Sequence, residues 1–303
     1  MNPAPSLIVF TVLSGAGLGL IAWIGLGLDG GPAFAWAAPL VALGLTAIGG
    51  LASVAHLARP DRAWRAFSQW RSSWLSREAV LLAVTVALFA VYAGLWALAG
   101  LRFWGLGWLV ALLALATVYA TAMIYAQLRT VPRWSVPPTP ELFIALALVG
   151  GYLAAGALAG LTGGAAHSGR VVLALAVAAG IAIWWQTQAT GARRSVQGTT
   201  LATATGLEGA RIRAFEPPHT GSNYLLDEMA FRVGRRRAWQ LRWLGAALGF
   251  LVPGAVALLS LALGDGVLVV ALIAHLAGVM ALRWLFFAEA EHVQALYYGV
   301  GSR

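Results

Sequence analysis

His56 and Glu78 are the residues of this chain whose type and position most clearly invite chemistry. They bracket the segment HLARPDRAWRAFSQWRSSWLSRE, which joins two long apolar runs and carries Arg59, Arg62, Arg65, Arg71 and Arg77. An ionisable side chain at a membrane edge needs a reason to be there. A hairpin between the two flanking helices would bring the imidazole and the carboxyl to one depth. A neutral histidine can donate a hydrogen bond to a quinone carbonyl, and a poorly solvated carboxyl can hold and deliver a proton. Reduction of a quinone by two electrons consumes two protons, so the pair suits that chemistry. Spacing alone leaves a second reading open. His56 then simply closes one helix, and Glu78 sits at the start of the next because the helix dipole favours a negative charge there.

Other candidates are weaker. Tyr125 and Trp134 flank a stiff, proline-bearing turn, Thr130-Val-Pro-Arg-Trp134. They stand at interface depth, where aromatic side chains either anchor a helix or line a quinone pocket. Glu289 and His292 are three apart, which would put them on one helix face in an interfacial salt-bridge patch. His275 lies well inside the last apolar run and His56 near the end of the second. Axial ligands of a haem must come from matching depths, so no haem is expected. The chain has no cysteine, which rules out a disulfide, a thiolate zinc site and a cysteine-ligated iron–sulfur cluster of its own. No phosphate loop, dinucleotide fingerprint or serine-nucleophile motif stands in a fitting context.

These residues must be positioned by membrane-spanning elements. Of 303 residues, 60% are hydrophobic and 10% charged, far from the balance of a soluble domain. Eight apolar runs, near 6–28, 33–57, 79–101, 106–128, 141–163, 170–189, 243–264 and 267–288, each approach the ~20 residues that a spanning helix requires. Their length and their glycine and alanine content predict an all-α integral membrane protein, an eight-helix bundle over 1–303, rather than a barrel. The first run is too long for the core of a cleaved signal peptide and reads as a retained span. Small residues such as Ser14, Gly15 and Gly19 would let helices approach closely.

All twenty basic residues are arginine, and eighteen fall in loops or ends on one side; only Arg102 and Arg170 fall on the other. The positive-inside rule makes the rich side cytoplasmic, with both termini there. The net charge of +9 then reflects loops and lipid headgroups, and no nucleic-acid partner is expected. The long connection 190–242 faces the same side. Within it, Asp227 to Arg242 reads as a basic amphipathic helix, suited to anionic lipid or to a soluble partner.

The chain resembles the membrane anchor subunits of the DMSO reductase family of molybdenum enzymes. The resemblance is carried by His56-Leu-Ala-Arg-Pro60 with Arg62-Ala-Trp-Arg-Ala, by Ser73-Trp-Leu-Ser-Arg-Glu78, and by Tyr125 with Thr130-Val-Pro-Arg-Trp134. Ala58 stands where the family usually has glycine. The resemblance implies that His56 and Glu78 serve a quinone site, with Arg77, Arg71, Tyr125 and Trp134 as further quinone-site candidates. It implies ubiquinone or menaquinone as the redox partner and no metal or haem in this chain. Iron–sulfur clusters would sit on an electron-transfer subunit, and a molybdenum bis-guanine-dinucleotide cofactor on a catalytic subunit.

Within the family, the segment FEPPHTGSNYLLDEMAFRVGR and the ending RWLFFAEAEHV look most like the anchors of cytoplasmic sulfite dehydrogenases. The expected function is therefore a multi-pass anchor in a bacterial inner membrane, docking its partners on the cytoplasmic face and passing electrons to quinone. Two alternatives remain: an anchor of a DMSO, polysulfide or tetrathionate reductase that oxidises quinol, and, in another class, a transporter or a purely structural anchor. A transporter would show charged or broken helices at mid-membrane.

Overall fold

The structure is a computed structural model that describes residues 4–55, 57, 59–164, 168–197, 201–207, 212, 215 and 237–293. It contains eight helices long and apolar enough to cross a membrane. We call them α1 (Pro5–Gly25), α2 (Pro32–Ala55), α3 (Trp74–Ala99), α4 (Trp104–Ala126), α5 (Thr139–Leu161), α6 (Ser168–Gln197), α7 (Ala238–Leu263) and α8 (Leu268–Ala288). Each expected apolar run is helical over most of its length. Three helices reach further toward the arginine-rich end than apolarity suggested: α3 begins at Trp74 rather than 79, α6 runs to Gln197 rather than 189, and α7 begins at Ala238 rather than 243. Ser73 explains the first difference, because its hydroxyl accepts from the Ser76 N–H and opens the helix before the apolar run starts.

Of the 190–242 connection, residues 190–197 continue α6 and 238–242 open α7. The expected amphipathic helix from Asp227 falls largely outside the described residues.

α1 is the central helix and packs against α2, α4, α5 and α8. Its small residues make this possible. A Cβ on Gly19 would collide with the Ala147 backbone of α5, and one on Gly151 with the backbone of Gly19 and Leu20. Two helices meeting backbone to backbone gain dispersion contacts that lipid cannot match. The Trp23 indole donates across the same seam to the Leu148 carbonyl at 2.8 Å.

The short links at one end lie together. Gly164 abuts Gly30, Gly160 abuts Asp265, and Arg102 reaches Asp29. At the other end, the α4–α5 turn meets the end of α8: Trp134 donates to the Phe286 carbonyl at 2.8 Å. The spans therefore alternate in direction, and the arginine-rich loops share one end.

α7 is not a uniform helix. A π-helical turn, Ala247–Leu251, separates Ala238–Ala246 from Val252–Leu263. Pro253 follows it and has no N–H to offer the carbonyl four residues back, that of Gly249. His275 of α8 fills this role: its Nδ1 lies 2.7 Å from the Gly249 oxygen. Gly278 of α8 lies against Gly249 so closely that a side chain on Gly278 would force the helices apart.

Candidate functional site

Glu78 lies one turn inside α3, facing α4, and is 5% exposed. The expectation of a loop-edge glutamate was shallow by about a turn. Thr121 of α4 bonds its Oε1 through the hydroxyl and also lies 3.1 Å from the Thr117 carbonyl. A hydroxyl has one proton and can accept as well as donate. Thr121 can therefore donate to an ionised Glu78. It can equally accept from a protonated Glu78 while donating to Thr117. The pair is satisfied in both states, which suits a carboxyl that gains and loses a proton.

Tyr125 stands one turn beyond Thr121 on the same helix face, within electrostatic reach of both Glu78 and Arg283. Its ring stacks on Phe143 at 5.8 Å and meets Trp134, Phe286 and Phe287 edge-on. Trp134 is buried in this box, and its only side-chain donor already serves Phe286. The two aromatics thus form one rigid wall at the arginine-rich end.

Arg77 organises the turn before α3. Its Nε and Nη2 donate to the carbonyls of Trp70 and Arg71 at 3.1 and 2.7 Å, and its guanidinium lies 4.4 Å from the Trp74 ring centre. Arg71 is exposed and rests over Trp70. Trp64, Phe67 and Trp70 are exposed beside it, so this loop presents arginine and aromatic side chains together. The structure thus brings Glu78 and Tyr125 together, with Trp134 against Tyr125, and sets Arg77 on the turn that leads to Glu78. His56 lies outside the described residues.

Sequence reasoning missed Arg283 as a site residue, counting it only as a charge near a helix end. It is 3% exposed, its Nε and Nη1 have no hydrogen-bond partner among the described residues, and its guanidinium carbon sits 3.3 Å from the Phe143 ring centre. The usable signal was its place five residues before the end of α8, where a membrane arginine needs a partner. Arg283, His275, Thr121, Ser14 and Thr11 line a small chamber of about 20 Å³, room for about one water molecule. Because a carbonyl can only accept, His275 carries a hydrogen on Nδ1 toward Gly249, and the Leu146 carbonyl of α5 is a second backbone acceptor near its ring.

The expected patch at the end of α8 differs from its forecast. The helix stops at Ala288, so Glu289 and His292 share no helical face. Glu289 is instead buried and bonded by two arginines, to Arg133 at 2.6 Å and to Arg242 at 2.7 Å. These contacts tie the α4–α5 turn, α7 and the end of α8 together. Among the described residues, no three His, Cys, Asp or Glu side chains gather as a metal site would require.

Known proteins are similar in sequence along nearly the whole chain. A family model described as DMSO reductase anchor subunit (DmsC) matches residues 1–299. A sulfite dehydrogenase subunit of Allochromatium vinosum is 33% identical, with 98% of this chain and 99% of that protein covered. A match over the whole bundle, from α1 to beyond α8, places the chain in the family of DMSO reductase membrane anchor subunits.

Proposed function

We propose that this chain is the quinone-reactive anchor of a cytoplasm-facing sulfite:quinone oxidoreductase in a bacterial inner membrane. One observation carries the quinone role: Glu78, a carboxyl buried in an otherwise apolar helix at the arginine-rich end, with a hydroxyl partner that suits both its protonation states. The whole-chain likeness to a sulfite dehydrogenase subunit supports the substrate class.

In this reading an iron–sulfur subunit and a molybdenum subunit dock on the arginine-rich face. The exposed Arg71 and Trp70 of the α2–α3 loop are suited to such docking. Sulfite takes an oxygen from water and releases two electrons and two protons; quinone takes up two of each. The partners' metal groups supply the electron path. This chain's residues supply the rest. Glu78 carries the proton, Thr121 holds it in either state, and His56 donates a hydrogen bond to a quinone carbonyl. Arg77 fixes the turn that sets the depth of Glu78, and Tyr125 and Trp134 wall the site. Protons and electrons arrive from one side, so turnover moves little charge across the membrane.

The test is sulfite-dependent quinone reduction by membranes with and without this chain. Activity that requires the chain and is lost in His56→Ala, with the complex still assembled, supports the reading. Quinol-driven reduction of an S- or N-oxide, with no sulfite activity, would keep the anchor and reverse the direction of flow.

A further inference from the structure

A groove of about 400 Å³ opens between α6 and α7 and runs inward to α5 and α8. Its outer walls include Ile183 and Leu251, each 66% exposed on a face that lipid covers. Ala179, Ala182, Ala246 and Phe250 line its length, so most of it is apolar. Its inner wall includes Arg283. A long apolar channel ending at a few convergent polar groups is the usual form of a site for an apolar ligand with a polar head.

We infer that quinone enters through this groove, with its isoprenoid tail between α6 and α7 and its ring stopped against Arg283. The inference rests on the quinone role proposed above and adds the route and a contact residue. Three observations support it. First, the size suits a quinone ring and the start of its tail. Second, Arg283 can only donate, and two of its nitrogens have no partner among the described residues. A quinone carbonyl is an acceptor of the kind they lack. Third, Arg283 also lines the chamber that Thr121 lines, and Thr121 bonds Glu78. A ring at Arg283 is thereby separated from the proton-carrying carboxyl by one hydroxyl and room for about one water.

A phospholipid fits less well. The groove's rim arginines, Arg133 and Arg242, share the Glu289 carboxylate, one on each oxygen, which offsets part of their positive charge. A phosphate headgroup would have to pass them to reach a guanidinium that is 3% exposed, whereas a flat ring with carbonyl oxygens carries no charge inward.

The experiment uses the intact complex in lipid nanodiscs. A hydroxyquinoline N-oxide with a heptyl tail serves as the fluorescent quinone-site probe, and the KM for a short-tailed ubiquinone is read in parallel. Ala182→Phe, which fills the groove, weakens the probe and raises KM about tenfold or more, which corresponds to about 1.4 kcal/mol or more. Arg283→Gln weakens probe binding about ten- to a hundredfold, the range for a hydrogen bond from a charged group, and Arg283→Lys recovers part of it. Sulfite oxidation with a soluble acceptor, which bypasses the membrane, stays unchanged in all three and shows that assembly is intact.

Wild-type probe affinity and KM in both Ala182→Phe and Arg283→Gln would overturn the inference. So would loss of a co-purifying phospholipid in Ala182→Phe with probe affinity unchanged. If the wild-type complex itself neither binds the probe nor reduces quinone, the functional reading falls and the groove assignment with it. If it does both while only Glu78→Gln alters them, the function stands and the groove does not.

Discussion

Arg102 and Arg283 are both arginines near the ends of this bundle, and their surroundings are opposite. Arg102, at the end with few charges, has all three guanidinium nitrogens occupied. Nε donates to the Tyr92 hydroxyl at 3.3 Å, Nη1 pairs with Asp29 at 3.2 Å, and Nη2 donates to the carbonyls of Ile24 and Leu28 at 3.0 and 3.2 Å. Its face lies 4.3 Å from the Trp96 ring centre. It closes the C-terminal end of α1, where carbonyls lack helical partners and a positive charge is favoured. Arg283 is more deeply buried yet has a ring beneath it and two nitrogens without acceptors among the described residues. A buried cation with its donors filled is architecture. A buried cation with donors to spare is where a ligand belongs.

The sharpest way to break the comparison is at Glu78, on the side of the bundle read as reactive. Glu78→Gln keeps the shape and the bond to Thr121 but cannot give up a proton. Quinone-dependent turnover should fall about a hundredfold or more, the scale of a lost general acid. Assembly and sulfite oxidation with a soluble acceptor should remain. Full turnover in this variant would remove Glu78 from the mechanism.

Arg102→Gln should do the reverse. It removes the ion pair and the bonds to Ile24 and Leu28, leaving carbonyls at the end of α1 short of donors. We expect a loss of about 2 kcal/mol, read as a lower thermal midpoint of the solubilised complex, with the KM for quinone unchanged. A changed KM with a normal midpoint would undo the contrast between the two arginines.

The bundle was legible because the membrane makes a strong demand: about twenty apolar residues per span, with arginine on one side. Those patterns survive in a bare sequence. The ends of α3 and α7 were less legible, since a Ser73 cap and the polar start of α7 extend helix beyond the apolar run. Glu78 was visible because a lone acid beside an apolar run stands out. Its partner Thr121 was not, because a threonine in a membrane helix commonly bonds its own backbone, as Thr85 and Thr117 also do. Arg283 was seen only as a charge near a helix end. Its significance depends on what α4 and α5 place around it, and no spacing within α8 encodes that. The same holds for Glu289, whose partners come from residues 133 and 242.

His275 stands between the two classes, and it gives the finest test. Its Nδ1 is occupied by Gly249, and its ring also lines the chamber, with the Leu146 carbonyl as a second backbone acceptor nearby. Pro253 cannot serve the Gly249 carbonyl, which the Nδ1 bond satisfies instead. His275→Phe keeps a ring beside Phe250, which already packs 6.4 Å from the imidazole centre, but leaves that carbonyl unpaired. A buried carbonyl without a donor costs about 1–2 kcal/mol, so the thermal midpoint should fall modestly. Adding Pro253→Ala restores an N–H four residues on from Gly249 and should return most of the loss, an interaction that a double-mutant cycle isolates. If the double variant is no more stable than His275→Phe, the proline does not explain the histidine. The place of the ring at the chamber would then be the reason an imidazole sits at this depth.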